Sequence, residues 1–134
     1  MADMPVRQEH NPDWPWARPY RISQAVQVGD TLYISGQGPI DPQGDLVGPD
    51  DMAAQSRQVF ANMRAVLEEA GALMNDVVKI TCFLTDVSRY AEYSAVRGEA
   101  FPDHIPASST VIVADLVVSG MMVEVEAIAH LSGD

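Results

Sequence analysis

Five short runs with the two-residue period of strands are interrupted, in a fixed order, by two segments of helical period, and that order restricts the chain more than any other feature. Residues 22–28 (ISQAVQV) and 31–35 (TLYIS) are strand-like and flank Gly29-Asp30, a two-residue hairpin signal. Met52, Val59, Phe60, Met63, Val66, Leu67 and Ala70 then recur with the helical period. With Asp50 and Asp51 at the front and Gly71 as a stop, they predict a helix of about five or six turns. Residues 77–85 (VVKITCFLT) are a β-branched run that puts Val78, Ile80, Cys82 and Leu84 on one face and Lys79, Thr81 and Phe83 on the other. Asp86 or Ser88 is placed to cap a second helix, residues 88–101, in which Tyr90, Tyr93, Arg97, Ala100 and Phe101 lie near one stripe. Two last strands, STVIVADL and MMVEVEAIAHL, are expected to be joined by a short turn around Ser119-Gly120.

The order β-β-α-β-α-β-β predicts an α+β fold: a mixed, mostly antiparallel sheet covered by two helices on one face. The other face must then meet water or another subunit. The last strand makes this concrete. In VEVEAIAH the residues Val123, Val125, Ala127 and Ala129 share one face, and Glu124, Glu126, Ile128 and His130 share the other. Glu124 and Glu126 therefore fall on the uncovered side, together with Lys79 and Thr81 if the register agrees. They are either a solvated strand face or part of a site. Carboxylates two apart on a strand, about 7 Å, also match the spacing of an inverting glycosidase, but no aromatic sugar platform accompanies them.

Residues 1–21 read as a separate Pro- and Trp-rich arm before a single domain at 22–134. Pro5, Pro12, Pro15 and Pro19 favour an extended path, and Trp14 and Trp16 need an apolar seat. That seat is either the arm's own domain or a neighbouring subunit, or else the arm is a lid on a ligand site. No run approaches the roughly 18 apolar residues of a membrane span, and a single cysteine, Cys82, cannot form an internal disulfide; a soluble, cytoplasmic protein is expected. His10, His104 and His130 have no ligand spacing, so no metal is expected. Nineteen acidic residues against eight basic ones give a net charge of −11, which repels phosphate backbones and argues against a nucleic-acid partner.

Four blocks together, ISQAVQVGDTLYISGQGPID, VLEEAG with VVKITCFLTD, IPASSTVIVADL and VEVEAIA, resemble the Rid family of reactive intermediate deaminases, also called YjgF-like or endoribonuclease L-PSP-like proteins. The resemblance covers roughly residues 22–131. It implies a homotrimer of the chorismate-mutase-like fold, with the three sheets lining a barrel and ligand clefts between subunits. It further implies hydrolysis of enamines and imines such as 2-aminoacrylate to a carbonyl compound and ammonia, without metal or cofactor. A glutamate matching Glu124 orients water there, backbone groups around Gly36 and Thr110 bind substrate, and an arginine directly after a Pro-Ala pair holds the substrate carboxylate.

The sequence departs from that pattern at the anchor. Pro106-Ala107 is followed by Ser108, whose hydroxyl cannot make the charged, bidentate contact of a guanidinium. A tyrosine and an asparagine common in the family are replaced by Ile22 and Ser94. Arg18 or Arg21, with Trp16, would reach a cleft if the arm folds over it. Arg97 is expected to lie on the far side of the sheet, away from the cleft. The family pattern with Ser108 implies an imine or enamine hydrolase of altered substrate choice, in which Ser108 and Thr110 donate to substrate oxygens. The alternative is a trimeric small-molecule binding or sensing protein that uses the same clefts without turnover. The ribonuclease activity sometimes attached to the family is opposed by the acidic balance.

Overall fold

The computed structural model describes residues 6–132; the first five residues of the expected arm and the last two of the chain lie outside that range. Six strands form one sheet in the order β1-β2-β3-β6-β4-β5, with strands Arg7–His10 (β1), Ala25–Val28 (β2), Thr31–Gln37 (β3), Val77–Leu84 (β4), Ala107–Ile112 (β5) and Val123–His130 (β6). All neighbours are antiparallel except β4 and β5, which run parallel. Helices Met52–Glu69 (α1) and Tyr90–Ala100 (α2) pack together over one face. The two-helix, mixed-sheet α+β fold read from the periodicities is therefore present.

The arm is drawn into this sheet. Arg7–His10 pairs with Ala25–Val28 as an edge strand. Residues Pro15–Tyr20 coil into a short 3-10 turn instead of running extended, because proline at the first helical position gives up only an N–H that has no partner there.

Helix α1 begins where the acidic pair predicted, with the Asp51 carboxylate accepting from the Ala54 N–H at 3.0 Å. Its apolar stripe, Met52, Val59, Phe60, Met63, Val66 and Leu67, is buried against the sheet. Two buried amides on the same helix reach the chain on either side of the site. Asn62 Nδ2 donates to the carbonyls of Gly38 at 2.9 Å and Ile40 at 2.7 Å, fixing the exit of β3. Gln55 donates to the Gly120 carbonyl at 2.9 Å and accepts from the Met122 N–H at 2.8 Å, fixing the entry of β6. Each amide donates to irregular backbone that no strand ladder satisfies.

Two strand expectations are corrected. The segment expected at 109–116 is a strand at 107–112, and it does not form a hairpin with the last strand through a tight turn at Ser119-Gly120. Instead a ten-residue connection, 113–122, lets β6 insert between β3 and β4, leaving β5 on the free edge. A register shift between Val77 and Lys79 buries Val77 and leaves Val78 half exposed, so Val78 does not share the buried face with Ile80, Cys82 and Leu84.

Candidate active site

Strand β6 alternates as its sequence requires. Val123, Val125, Ala127 and Ala129 are buried under the helices, and Glu124, Glu126, Ile128 and His130 face the uncovered side. In the β4–β6 pairing Thr81 lies opposite Glu126 and Phe83 opposite Glu124, so the register does place these residues on one face. Lys79 is there too, but its Nζ donates to the Ile80 carbonyl at 3.0 Å and to the Thr81 and Ser109 hydroxyls at 3.3 Å, not to a carboxylate.

Glu124 is half-buried and has no hydrogen-bond or ion-pair partner among the described residues. Burial, helped by the negative charge of Glu126, pushes its carboxyl above the usual glutamate range. Its seat is set by Gly36 on the neighbouring β3. A Cβ at position 36 would stand 2.4 Å from Glu124 Oε2 and 2.8 Å from its Cδ, so the carboxylate occupies the room that the missing side chain leaves. Gly36 and Glu124, predicted separately, are thus in contact.

Ser108 and Thr110 are brought together elsewhere. They pair in register with Ile80 and Cys82, two residues that point under the helices, so both hydroxyls lie on the helix side of the free edge. Ser109 takes the opposite side. An open cavity of about 490 Å³ forms there, lined by Tyr90, Arg97, Ile105, Pro106, Ser108 and Thr110. Arg97 lies on the face of the sheet opposite Glu124, and α2 covers the side that Ser108 and Thr110 present. The Arg97 guanidinium donates to the Ser94 hydroxyl at 3.0 Å and the Tyr90 hydroxyl at 3.2 Å, and rests over the Tyr90 and Tyr93 rings at 5.7 and 5.5 Å. That hydrogen bond draws the Tyr90 phenol below its ordinary range. Tyr90 was visible in the sequence only as a member of the stripe Tyr90, Tyr93, Arg97; what was missing was the side of the sheet that the edge strand turns toward it.

The arm residues form a third group. Arg18 is bridged to Asp13, and Arg18 and Arg21 line a separate cavity of about 850 Å³ with Trp14, Ile22, Gln24 and Ser35. Trp16 stacks on Trp14 at 6.2 Å and packs against Gly44, where a Cβ would come within 2.9 Å of it. None of Arg18, Arg21 and Trp16 lines the cavity of Ser108 and Thr110. Cys82 is fully buried, and desolvation pushes its thiol up to about 11, so it is a packing residue and not a nucleophile. Among the described residues no group of three His, Cys, Asp or Glu side chains is placed to hold a metal ion, and no helix is long and apolar enough to cross a membrane.

A mixed six-stranded sheet roofed by two helices on one face places the chain in the chorismate-mutase-like class of α+β folds. Comparison with known proteins narrows this. The Endoribonuclease L-PSP family profile matches residues 16–131. A RutC family protein of Pyrococcus abyssi is 41% identical over 108 residues, 81% of this chain and 84% of its own. The 2-iminobutanoate/2-iminopropanoate deaminase of Escherichia coli is 39% identical over 109 residues, covering 79% of this chain and 84% of that protein. The crystal structure of RidA from an Antarctic Psychrobacter superposes with a TM-score of 0.84 at 40% identity, over 92% of this chain and 99% of that one. The chain belongs to the Endoribonuclease L-PSP family, the group that includes the Rid and YjgF proteins.

Proposed function

We propose that the protein is a cofactor-independent hydrolase that converts a reactive enamine or imine into a carbonyl compound and ammonia, with Glu124 as the water-orienting base and Ser108 altering how substrate is held. The observation that carries this is the Glu124 carboxylate, withdrawn from solvent, without a counter-charge and pressed against Gly36. A carboxylate left without a partner keeps its lone pairs for water, and its raised affinity for protons suits a general base. An enamine becomes reactive when its carbon takes a proton to give the iminium. Water held by Glu124 then forms the C–O bond while the carboxylate takes its proton. The carbinolamine is protonated on nitrogen, the C–N bond breaks, and the carbonyl forms as ammonia leaves.

Within one chain Glu124 and the Ser108–Thr110 pair face opposite sides of the sheet. A complete cleft therefore requires a second copy, so the working form is a homo-oligomer, a trimer by analogy with the family. Tyr33, Lys79, Thr81, Glu126 and Ile128 on the uncovered face, and the exposed Val111 and Ile112 of β5, are the surfaces such an assembly would cover.

The test is to generate 2-aminoacrylate with a pyridoxal-phosphate serine dehydratase and to follow pyruvate release with wild type and Glu124→Ala. Acceleration by wild type that is lost in the variant is expected. Acceleration that survives in the variant would remove Glu124 from the chemistry, and none from wild type on this or bulkier imines would leave a binding protein.

A further inference from the structure

We infer that Arg97, on α2, is the substrate-carboxylate anchor of this protein, and that its substrates are 2-imino acids with side chains bulkier than that of 2-aminoacrylate. The inference rests on the deaminase proposed above, but it concerns a residue that supplies no part of the water chemistry.

Three features of the Arg97 environment carry it. Arg97 lines the same cavity as Ser108 and Thr110, so its charge and the edge-strand hydroxyls border one space. It is half-buried, yet no Asp or Glu carboxylate lies within ion-pair distance among the described residues, although the chain carries nineteen acids. Such a cation is held in place and left uncompensated. Its partners are all neutral: Ser94 and Tyr90 accept from Nη2, and the two tyrosine rings support its plane. These contacts fix the group while leaving donors for a ligand, and a carboxylate is the partner whose geometry matches a guanidinium fork. Of the other cations, Arg89 pairs with Asp50 and Glu92, Arg57 with Glu99 and Arg18 with Asp13, Lys79 is turned to the opposite face, and Arg7, Arg21 and Arg64, which like Arg97 have no carboxylate partner among the described residues, line other cavities.

The bulkier side chain follows from the same exchange. With the positive charge supplied from the helix, position 108 carries only a hydroxymethyl group, and the space beside the carboxylate seat is bordered by Ile105 and Pro106. That apolar border would take an aliphatic or aromatic substituent.

The experiment uses two readouts. Imines are produced from alanine, leucine and phenylalanine with an L-amino-acid oxidase and catalase, and 2-oxo acid release is followed for wild type, Arg97→Met, Arg97→Lys and the double variant Arg97→Met with Ser108→Arg. Binding of the 2-oxo acid product is titrated by calorimetry against the corresponding 2-oxo amide. Loss of one charge-assisted pair is expected to raise KM roughly ten- to a hundredfold with kcat little changed, with lysine intermediate and Ser108→Arg restoring KM for the alanine imine. Wild type is expected to bind the acid over the amide, Arg97→Met to lose that preference, and Glu124→Gln to keep it. Equal KM values for wild type and Arg97→Met, or equal binding of acid and amide by wild type, would overturn the assignment while leaving the deaminase intact. Acid-selective, Arg97-dependent binding without turnover would uphold the anchor and defeat the deaminase. A preference of wild type for the alanine imine over the larger two would overturn the substrate class. The acid-versus-amide comparison needs no variant, so it decides the anchor even if Arg97→Met fails to fold.

Discussion

Alanine at position 36 is the most economical way to move the Glu124 carboxylate without removing it. The new methyl group would lie 2.4 Å from Oε2, where an ordinary contact begins at 3.4 Å, so the carboxylate must retreat by about 1 Å. The obstructing atoms are the far end of a flexible side chain, so the fold can absorb the change by a shift of rotamer, at a cost of order 0.5–1.5 kcal/mol. The backbone at Gly36 does not have the positive φ found at Gly29 or Gly44, so alanine adds no conformational strain. Catalysis is far less tolerant, since a displacement of about 1 Å of a positioned group costs on the order of a hundredfold in rate. Gly36→Ala is therefore expected to lower kcat for imine hydrolysis by about that factor, while its urea midpoint falls by no more than about 1 M. The paired assay is steady-state 2-oxo acid release with chemical denaturation on the same preparation. A variant that keeps its rate within about threefold, against the hundredfold expected of a misplaced base, would show that this contact does not set the chemistry.

Two further outcomes follow from the geometry. Glu126 raises the proton affinity of Glu124, and the base must be deprotonated to act, so the rate should climb with pH through a limb above the usual glutamate range; Glu126→Gln removes the repulsion and should move that limb to lower pH, and a limb that stays in place would exclude the coupling. Asn62→Ala leaves the Gly38 and Ile40 carbonyls without their donor and should cost roughly 2–4 kcal/mol in denaturant unfolding; a loss under about 0.5 kcal/mol would mean that water replaces the amide.

Much of the fold could be read from the sequence because its signals are local. The alternation in VEVEAIAH sorts Glu124 from Val123 and Val125 whatever strand lies alongside, and Asp51 with the Met52–Leu67 stripe fixes the first helix by itself. What could not be read is non-local. Nothing in residues 107–112 tells which side faces the helices, because every residue of that edge strand is exposed and the pattern has no buried face. Only its parallel pairing with β4 decides that Ser108 and Thr110 turn toward α2 and into one cavity with Arg97. The β4 shift at Val77 and the insertion of β6 between β3 and β4 have the same origin, since partner choice in a sheet belongs to distant segments. The arm was misjudged for another reason: its prolines exclude an interior helix but not a 3-10 turn that opens with one.

Helix α1 holds the backbone on both sides of Glu124 and Gly36 through Gln55 and Asn62. The proposed chemistry consequently has no melting point of its own: whatever loosens this helix disperses Glu124 and its glycine seat together, and a chain that is still folded there keeps their geometry until the fold itself gives way.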